Sequence, residues 1–140
     1  MKGILVDASF SASWFLDDEW HESSAEVLDR MQSGGPVFVP NLWLLEITNL
    51  LFVAQRRGRI DRRYRDEAFA RISRLSLNIF AAPTLADMAT LRHFSDKYQL
   101  TAYDAEYLRV ATEQGLVLAS FDRQLTAAAR REKVQIIGLD

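Results

Sequence analysis

The chain contains no cysteine, which excludes disulfides and thiolate metal sites. Its two histidines, His21 and His93, are too few for a His-rich zinc site. A metal here would be bound mainly by oxygen, the preference of magnesium and manganese. Lysine is scarce too: only Lys2, Lys97 and Lys133 occur, and none follows the carboxyl end of an expected strand. A phosphatase-like or receiver-like protein, which wants a nucleophilic Asp and a well-placed Lys, is therefore disfavoured. No apolar run approaches the roughly 20 residues needed to span a bilayer. The N-terminus, MKGILVDASF, has too short an apolar part and no cleavage site for a signal peptide. The expected location is the cytoplasm, with no membrane partner. There is no internal repeat, low-complexity segment or linker.

What is present describes one ordinary folded unit. A hydrophobic fraction of 49% over 140 residues predicts a single domain, 1–140, with a sizeable core. The net charge of −2 does not mark a nucleic-acid binder, but the charges are unevenly spread. Eight arginines lie between residues 56 and 74, namely Arg56, Arg57, Arg59, Arg62, Arg63, Arg65, Arg71 and Arg74. The guanidinium fork suits bidentate contact with phosphate; equally, Asp61, Asp66 and Glu67 could make this a solvated, locally paired helix surface.

Short apolar runs alternate with helical patterns. GILVD (3–7), VFVP (37–40), LNIFAA (77–82), LVLAS (116–120) and VQIIGL (134–139) read as strands; continuous apolar runs suit strands buried on both faces of a parallel sheet. Between them lie SFSASWFL, the stretch His21 to Gln32, NLWLLEITNLLFVAQRRG with Asn41 as expected cap and Gly58 as stop, IDRRYRDEAFARISRL with Asp61 as cap, PTLADMATLRHFSDKYQ, LTAYDAEYLRVATEQG and FDRQLTAAARRE. This order predicts an α/β layered domain with a mainly parallel, roughly five-stranded sheet flanked by helices.

Ligands of open α/β sheets bind beyond the carboxyl ends of the strands. Asp7 ends the first strand and Asp122 lies just past the fourth. Asp104 sits in the first turn of the helix feeding that fourth strand, and Glu46 in the second turn of the helix after VFVP. All four can reach one edge. Each also has a plain structural role open to it: Asp7 and Asp122 as N-caps, Asp104 with Thr101 as a capping box, Glu46 as an arginine partner. Taken jointly, their apolar neighbours make desolvated carboxylates costly, and their mutual repulsion is what a divalent cation relieves. Ser9, Asn49 and Ser120 lie two or three residues from Asp7, Glu46 and Asp122. Small polar groups so placed can orient a carboxylate or hold a water on a metal.

The stretches VDAS, LLEITNLL, LTAYDAEYL and SFDRQL, in this order and spacing, resemble the signature of the PIN domain, and most of all the VapC-type toxins of bacterial toxin–antitoxin pairs. The resemblance runs from about residue 3 to residue 138. It implies a three-layer PIN-like fold and a metal-dependent endoribonuclease, using Mg2+ or Mn2+ to activate water for in-line hydrolysis of RNA. By position, Asp7, Glu46, Asp104 and Asp122 match the family's four acids, which are both catalytic residues and metal ligands, with Asp7 and Asp104 as the main ligands. Ser9, Asn49 and Ser120 match its supporting polar positions. Because an acidic pocket repels phosphate, flanking arginines must offset it. Arg56, Arg57, Arg59, Arg62, Arg63 and Arg123 are the candidates for RNA contact. The implied partners are RNA (a tRNA, ribosomal RNA or messenger RNA), a VapB-like antitoxin lying in a groove over the site, and a second copy of the chain in a homodimer or larger assembly. Trp14, Phe15, Trp20, Trp43, Leu44, Leu50, Leu51 and Phe52 exceed what a small sheet needs; most should be core, the rest partner surface.

Two other readings remain open on the sequence alone. One is a PIN nuclease of RNA processing outside any toxin–antitoxin pair, with the same site residues. The other is a non-catalytic α/β protein-binding module whose acids only start helices.

Overall fold

The computed structural model describes residues 2–139. Its five strands are β1 (Ile4–Val6), β2 (Val37–Val39), β3 (Asn78–Ile79), β4 (Val117–Ser120) and β5 (Ile136–Gly138). They form one fully parallel sheet in the order β3-β2-β1-β4-β5. Among the described residues seven α-helices surround it: α1 (Ala8–Ala12), α2 (Glu22–Gln32), α3 (Trp43–Arg56), α4 (Arg62–Ile72), α5 (Met88–Tyr98), α6 (Ala102–Gln114) and α7 (Arg123–Arg131), with short 3-10 turns at Asp17–Glu19 and Leu85–Asp87.

The strand residues alternate between two cores, which makes three layers. Ile4, Val6, Val37, Val39, Val117 and Ala119 point to one face, where Phe10, Val27, Met31, Trp43, Ile47, Leu51 and Ala68 of α1 to α4 cover them. Leu5 and Leu118 point to the other, against Phe94, Ala105, Leu108, Ala111, Leu125 and Ala129 of α5 to α7. Strands buried on both faces have no polar side to show water, hence the continuous apolar runs. Gly3 belongs to this packing: a Cβ there would lie 2.7 Å from the Phe38 ring.

The winding reverses at β1. From β1 the chain steps to β2 and β3 on one side, then returns to lay β4 on the other side of β1. The carboxyl ends of β1 and β4, register partners through Val6 and Ala119, therefore flank the topological switch point, where such sheets bind ligands.

Several local expectations need correction. Asn41 does not cap α3. The helix starts at Trp43 with Leu42 at its cap and no side-chain bond there. The first amides bond backward instead, Trp43 N–H to the Pro40 carbonyl (3.0 Å) and Leu44 N–H to Asn41 (3.2 Å), so a tight backbone turn does the work of a cap. The other end behaves as expected: Gly58 (φ +76°) closes α3, with Arg59 N–H bonding the Ala54 carbonyl at 2.9 Å. SFSASWFL is helical only through Ala12; Ser13 and Ser24 hydroxyls meet at 2.6 Å and turn the chain. The strand expected over 77–82 shrinks to Asn78–Ile79, an exposed edge. Of the surplus apolar residues, Trp14, Phe15, Trp43 and Leu51 are core and Leu50 and Phe52 half-buried, whereas Trp20 and Leu44 are exposed. Leu45, not anticipated, is 76% exposed beside Leu44. Among the described residues no helix is long and apolar enough to cross a membrane.

Candidate functional site

Asp7 is where β1 becomes α1. It is 4% exposed and caps α1: Oδ1 accepts from Phe10 N–H (2.8 Å) and from the Ser9 hydroxyl (2.7 Å). Oδ2 accepts from the Ser120 hydroxyl at the end of β4. These are neutral donors. Burial outweighs them and lifts the carboxyl to about 7, with the charge of Asp104 adding to the rise. Ser120, fully buried, also accepts from Asp122 N–H at 3.0 Å, so one hydroxyl ties the ends of β1 and β4 together. Ser9 adds a second tie, accepting from Phe121 N–H at 3.2 Å.

Asp122 caps α7, its Oδ1 accepting from Leu125 N–H at 2.8 Å. Asp104 stands differently. Thr101 caps α6, and it is the Asp104 backbone N–H that Thr101 receives, at 3.1 Å. Among the described residues, no reciprocal bond from the Asp104 carboxylate back to the Thr101 amide completes a capping box. Its carboxyl is pushed up to about 6, first by burial and then by the charge of Asp122, with the Thr101 hydroxyl opposing. Glu46 is half-buried on α3 and accepts from the Tyr107 hydroxyl at 2.7 Å. Burial raises its carboxyl, the Tyr107 bond opposes, and Asp104 adds repulsion.

Asp104 is thus the hub: Asp7 and Glu46 feel its charge, and it feels that of Asp122. Asp7, Glu46 and Asp122 therefore each lie near enough to Asp104 for charge to be felt between them, on the side of the sheet where β1 and β4 end. Among the described residues, no cationic side chain acts on Asp7, Glu46 or Asp104. Asn49, one turn beyond Glu46, is exposed and joins it along a groove of about 350 Å³ whose wall includes Ala8, Arg57 and Arg59. Among the described residues no group of three or more His, Cys, Asp or Glu side chains is arranged to hold an ion as it stands. Magnesium needs no such cage: it keeps several waters and takes one or two carboxylates. An all-oxygen donor set in which burial and neighbouring charge raise Asp7, Glu46 and Asp104 fits a hydrated divalent ion of this kind.

The arginines divide. Arg59 is held by Asp18 (2.9 Å) and Glu19 (2.8 Å), and Arg63 by Glu67 (3.3 Å). Arg56 lies 5.9 Å from the centre of the Phe52 ring. Arg56, Arg57, Arg62 and Arg123 are exposed. Of these, Arg57 borders the groove and Arg123 follows Asp122 directly. Tyr107, one turn after Asp104, was not singled out from sequence. A buried Tyr in a helix reads as core, and its bond to a residue 61 positions away leaves no local signal.

The model of the PIN domain matches residues 4–131. The chain belongs to the PIN domain family. PIN domains are generally nucleases that use divalent metal ions. Among curated proteins nothing matches the chain. Solved structures similar to it include PAE2754 of Pyrobaculum aerophilum, 27% identical with a TM-score of 0.67, covering 96% of this chain and 83% of that one. FitAcB of Neisseria gonorrhoeae has the same TM-score at 16% identity, covering 96% of each chain. VapC20 of Mycobacterium tuberculosis, a toxin that cleaves the sarcin–ricin loop, is 22% identical with a TM-score of 0.60, covering 89% of this chain and 94% of that one. At such identities the last two establish a shared fold.

Proposed function

We propose that this PIN domain is a divalent-metal-dependent endoribonuclease acting as the toxin of a toxin–antitoxin pair in the cytoplasm. The observation that carries the reading is the hub at Asp104: four carboxylates drawn from the end of β1, α3, α6 and the start of α7, three of them raised, with no cationic side chain among the described residues lowering those three. One buried and three half-buried acids that meet neutral donors and one another favour a cation from outside.

Asp7 and Asp104 would be the main ligands of Mg2+ or Mn2+, with Glu46 and Asp122 completing the set directly or through waters. A bound divalent ion supplies positive charge to the phosphodiester oxygens and lowers the pKa of water. The chain's own residues do the rest. Ser9, Ser120 and Phe10 N–H hold the Asp7 carboxylate in one orientation. Asn49 lies along the groove from Glu46, where it can bond water or RNA. Arg57, which borders the groove, and Arg123, which follows Asp122, are exposed and offset the repulsion between the acidic site and phosphate. Arg56 and Arg62 are exposed and are further candidates for RNA contact, while Arg59 and Arg63 contribute less because carboxylates already hold them. The exposed Leu44 and Leu45, on the helix that carries Glu46, suit an antitoxin segment laid over the site or a second copy of the chain. The toxin role draws on the fold shared with VapC20.

The experiment is cleavage of total bacterial RNA by purified protein with Mg2+, with Mn2+ and with EDTA, comparing wild type and Asp104→Asn after any bound antitoxin is removed. Discrete, metal-dependent cuts by wild type alone support the reading. Identical behaviour of the two proteins, without metal-dependent cleavage, would make the acids helix-starting residues and the chain a binding module.

A further inference from the structure

We propose that Tyr107 is a positioning residue of the acid cluster: its phenol holds the Glu46 carboxylate within reach of Asp104, so that the acid from α3 is set before any ion arrives. This rests on the divalent-ion reading above and adds to it a residue outside the four acids.

Tyr107 is 1% exposed and lies on α6 three residues after Asp104. Residues so spaced share a helix face. The face that offers Asp104 therefore also grips Glu46, through the 2.7 Å bond from the Tyr107 hydroxyl to Glu46 Oε1. Among the described residues Oε2 of Glu46 receives no side-chain or backbone donor. The choice of partner matters. An arginine here would fix Glu46 equally well but would cancel its charge and compete with an incoming cation. A phenol fixes one oxygen and leaves the charge intact. A buried tyrosine hydroxyl needs some acceptor in any fold; a purely structural role predicts a change in stability and no coupling to ion binding through Glu46.

The test is calorimetric titration of Mn2+ alone, without RNA, into wild type, Tyr107→Phe, Glu46→Gln and the double variant, each checked for folding by thermal unfolding. Tyr107→Phe keeps the buried ring. It is expected to weaken Mn2+ binding about tenfold, within the roughly 10–100-fold range for outer partners of metal ligands. The double variant is expected to bind no more weakly than Glu46→Gln, because the phenol acts only through that carboxylate. Wild-type affinity in Tyr107→Phe, or a loss that adds in full to that of Glu46→Gln, would overturn the inference while leaving the metal reading standing. A Tyr107→Phe protein that fails to fold would assign the hydroxyl to stability and overturn it as well. Absence of Mn2+ binding by wild type would instead remove the metal reading itself, and the inference with it.

Discussion

Helix α6 keeps carboxylates out of water in two opposite ways within a single turn. Glu106, 2% exposed, is gripped by Arg109 through Nε (2.7 Å) and Nη2 (3.0 Å), and the same guanidinium reaches Glu113 (2.8 Å) and Asp87 (3.4 Å). There the buried acid has a guanidinium of its own, and the same guanidinium pins the 3-10 turn before α5 to α6. Two residues earlier, half-buried Asp104 shares its charge with Asp7, Glu46 and Asp122, no guanidinium among the described residues grips it, and its carboxyl rises to about 6. A buried acid with its own cation serves the fold. A set of withdrawn acids without one repels internally, and either a proton or an added cation relieves that repulsion; near neutral pH and above, the cation is the more effective of the two.

Removing charges from the two clusters should therefore produce contrary phenotypes, and this is the largest expected effect. Asp104→Asn leaves the backbone bond to Thr101 in place, so the fold should survive while metal-dependent RNA cleavage falls by at least about 100-fold, the upper range for loss of an outer-shell partner. Arg109→Ala strands Glu106 and should cost about 3 kcal/mol or more of stability, read from denaturant unfolding. The folded fraction should still cleave. If Arg109→Ala abolished cleavage in folded protein, the contrast between the two clusters would fail.

A smaller effect tests that repulsion through pH. Asp7 has a folded-state value of about 7 against an ordinary 3.8. The metal-free folded protein thus binds this proton more tightly than the unfolded chain does. Stability from this group is complete below about pH 4 and is lost as pH rises through about 7. Asp7→Asn, which retains a capping oxygen, should flatten that slope and raise metal-free stability at pH 8 by on the order of 2 kcal/mol. Thermal unfolding from pH 4 to pH 8 checks both. An equally steep fall in the variant would assign the slope to other groups.

Gly138 offers a third way to disturb the site from outside it. It pairs with Ser120 across β4 and β5, at φ +125°, and a Cβ there would lie 2.3 Å from the Ser120 carbonyl oxygen. Gly138→Ala should cost about 1–3 kcal/mol and should weaken cleavage as well, since Ser120 carries the hydrogen bond to Asp7. The smallest effect belongs to the arginines. Arg57→Ala and Arg123→Ala should each lower the slope of log affinity against log salt for RNA by about 1, whereas Arg59→Ala, already paired with Asp18 and Glu19, should change it little. Equal losses from all three would mean that the ion pairs of Arg59 open when RNA binds.

The parts of this molecule that depend on sequence-local physics were legible in advance. Apolar runs such as Ile4-Leu5-Val6 mark strands buried on both faces. Asp61 and Gly58 mark helix ends, and the positions of Asp7 and Asp122 after strands place them at one sheet edge. What was not legible depends on distant partners. Tyr107 is indistinguishable from a core aromatic until α3 is brought beside α6. Arg59 looks like its neighbours until the Asp17–Glu19 turn folds against it. Asn41 has the right chemistry for a cap, but Pro40 and the backbone turn at Leu42 satisfy the first amides of α3 instead. Within SFSASWFL the helix stops at Ala12, where the Ser13 hydroxyl meets that of Ser24, a contact no periodicity reveals.

The most direct test of the acid-repulsion account is thermal unfolding at pH 8 with and without saturating Mg2+, on wild type, Asp104→Asn and Glu106→Gln. An ion that binds only the folded state raises its stability by an amount set by concentration over dissociation constant, about 2.7 kcal/mol at a hundredfold excess. The account requires a clear rise in midpoint for wild type, a similar rise for Glu106→Gln from its lower baseline, and little or none for Asp104→Asn. A wild-type midpoint indifferent to Mg2+ and Mn2+, or an Asp104→Asn midpoint that rises as far as wild type, would contradict it.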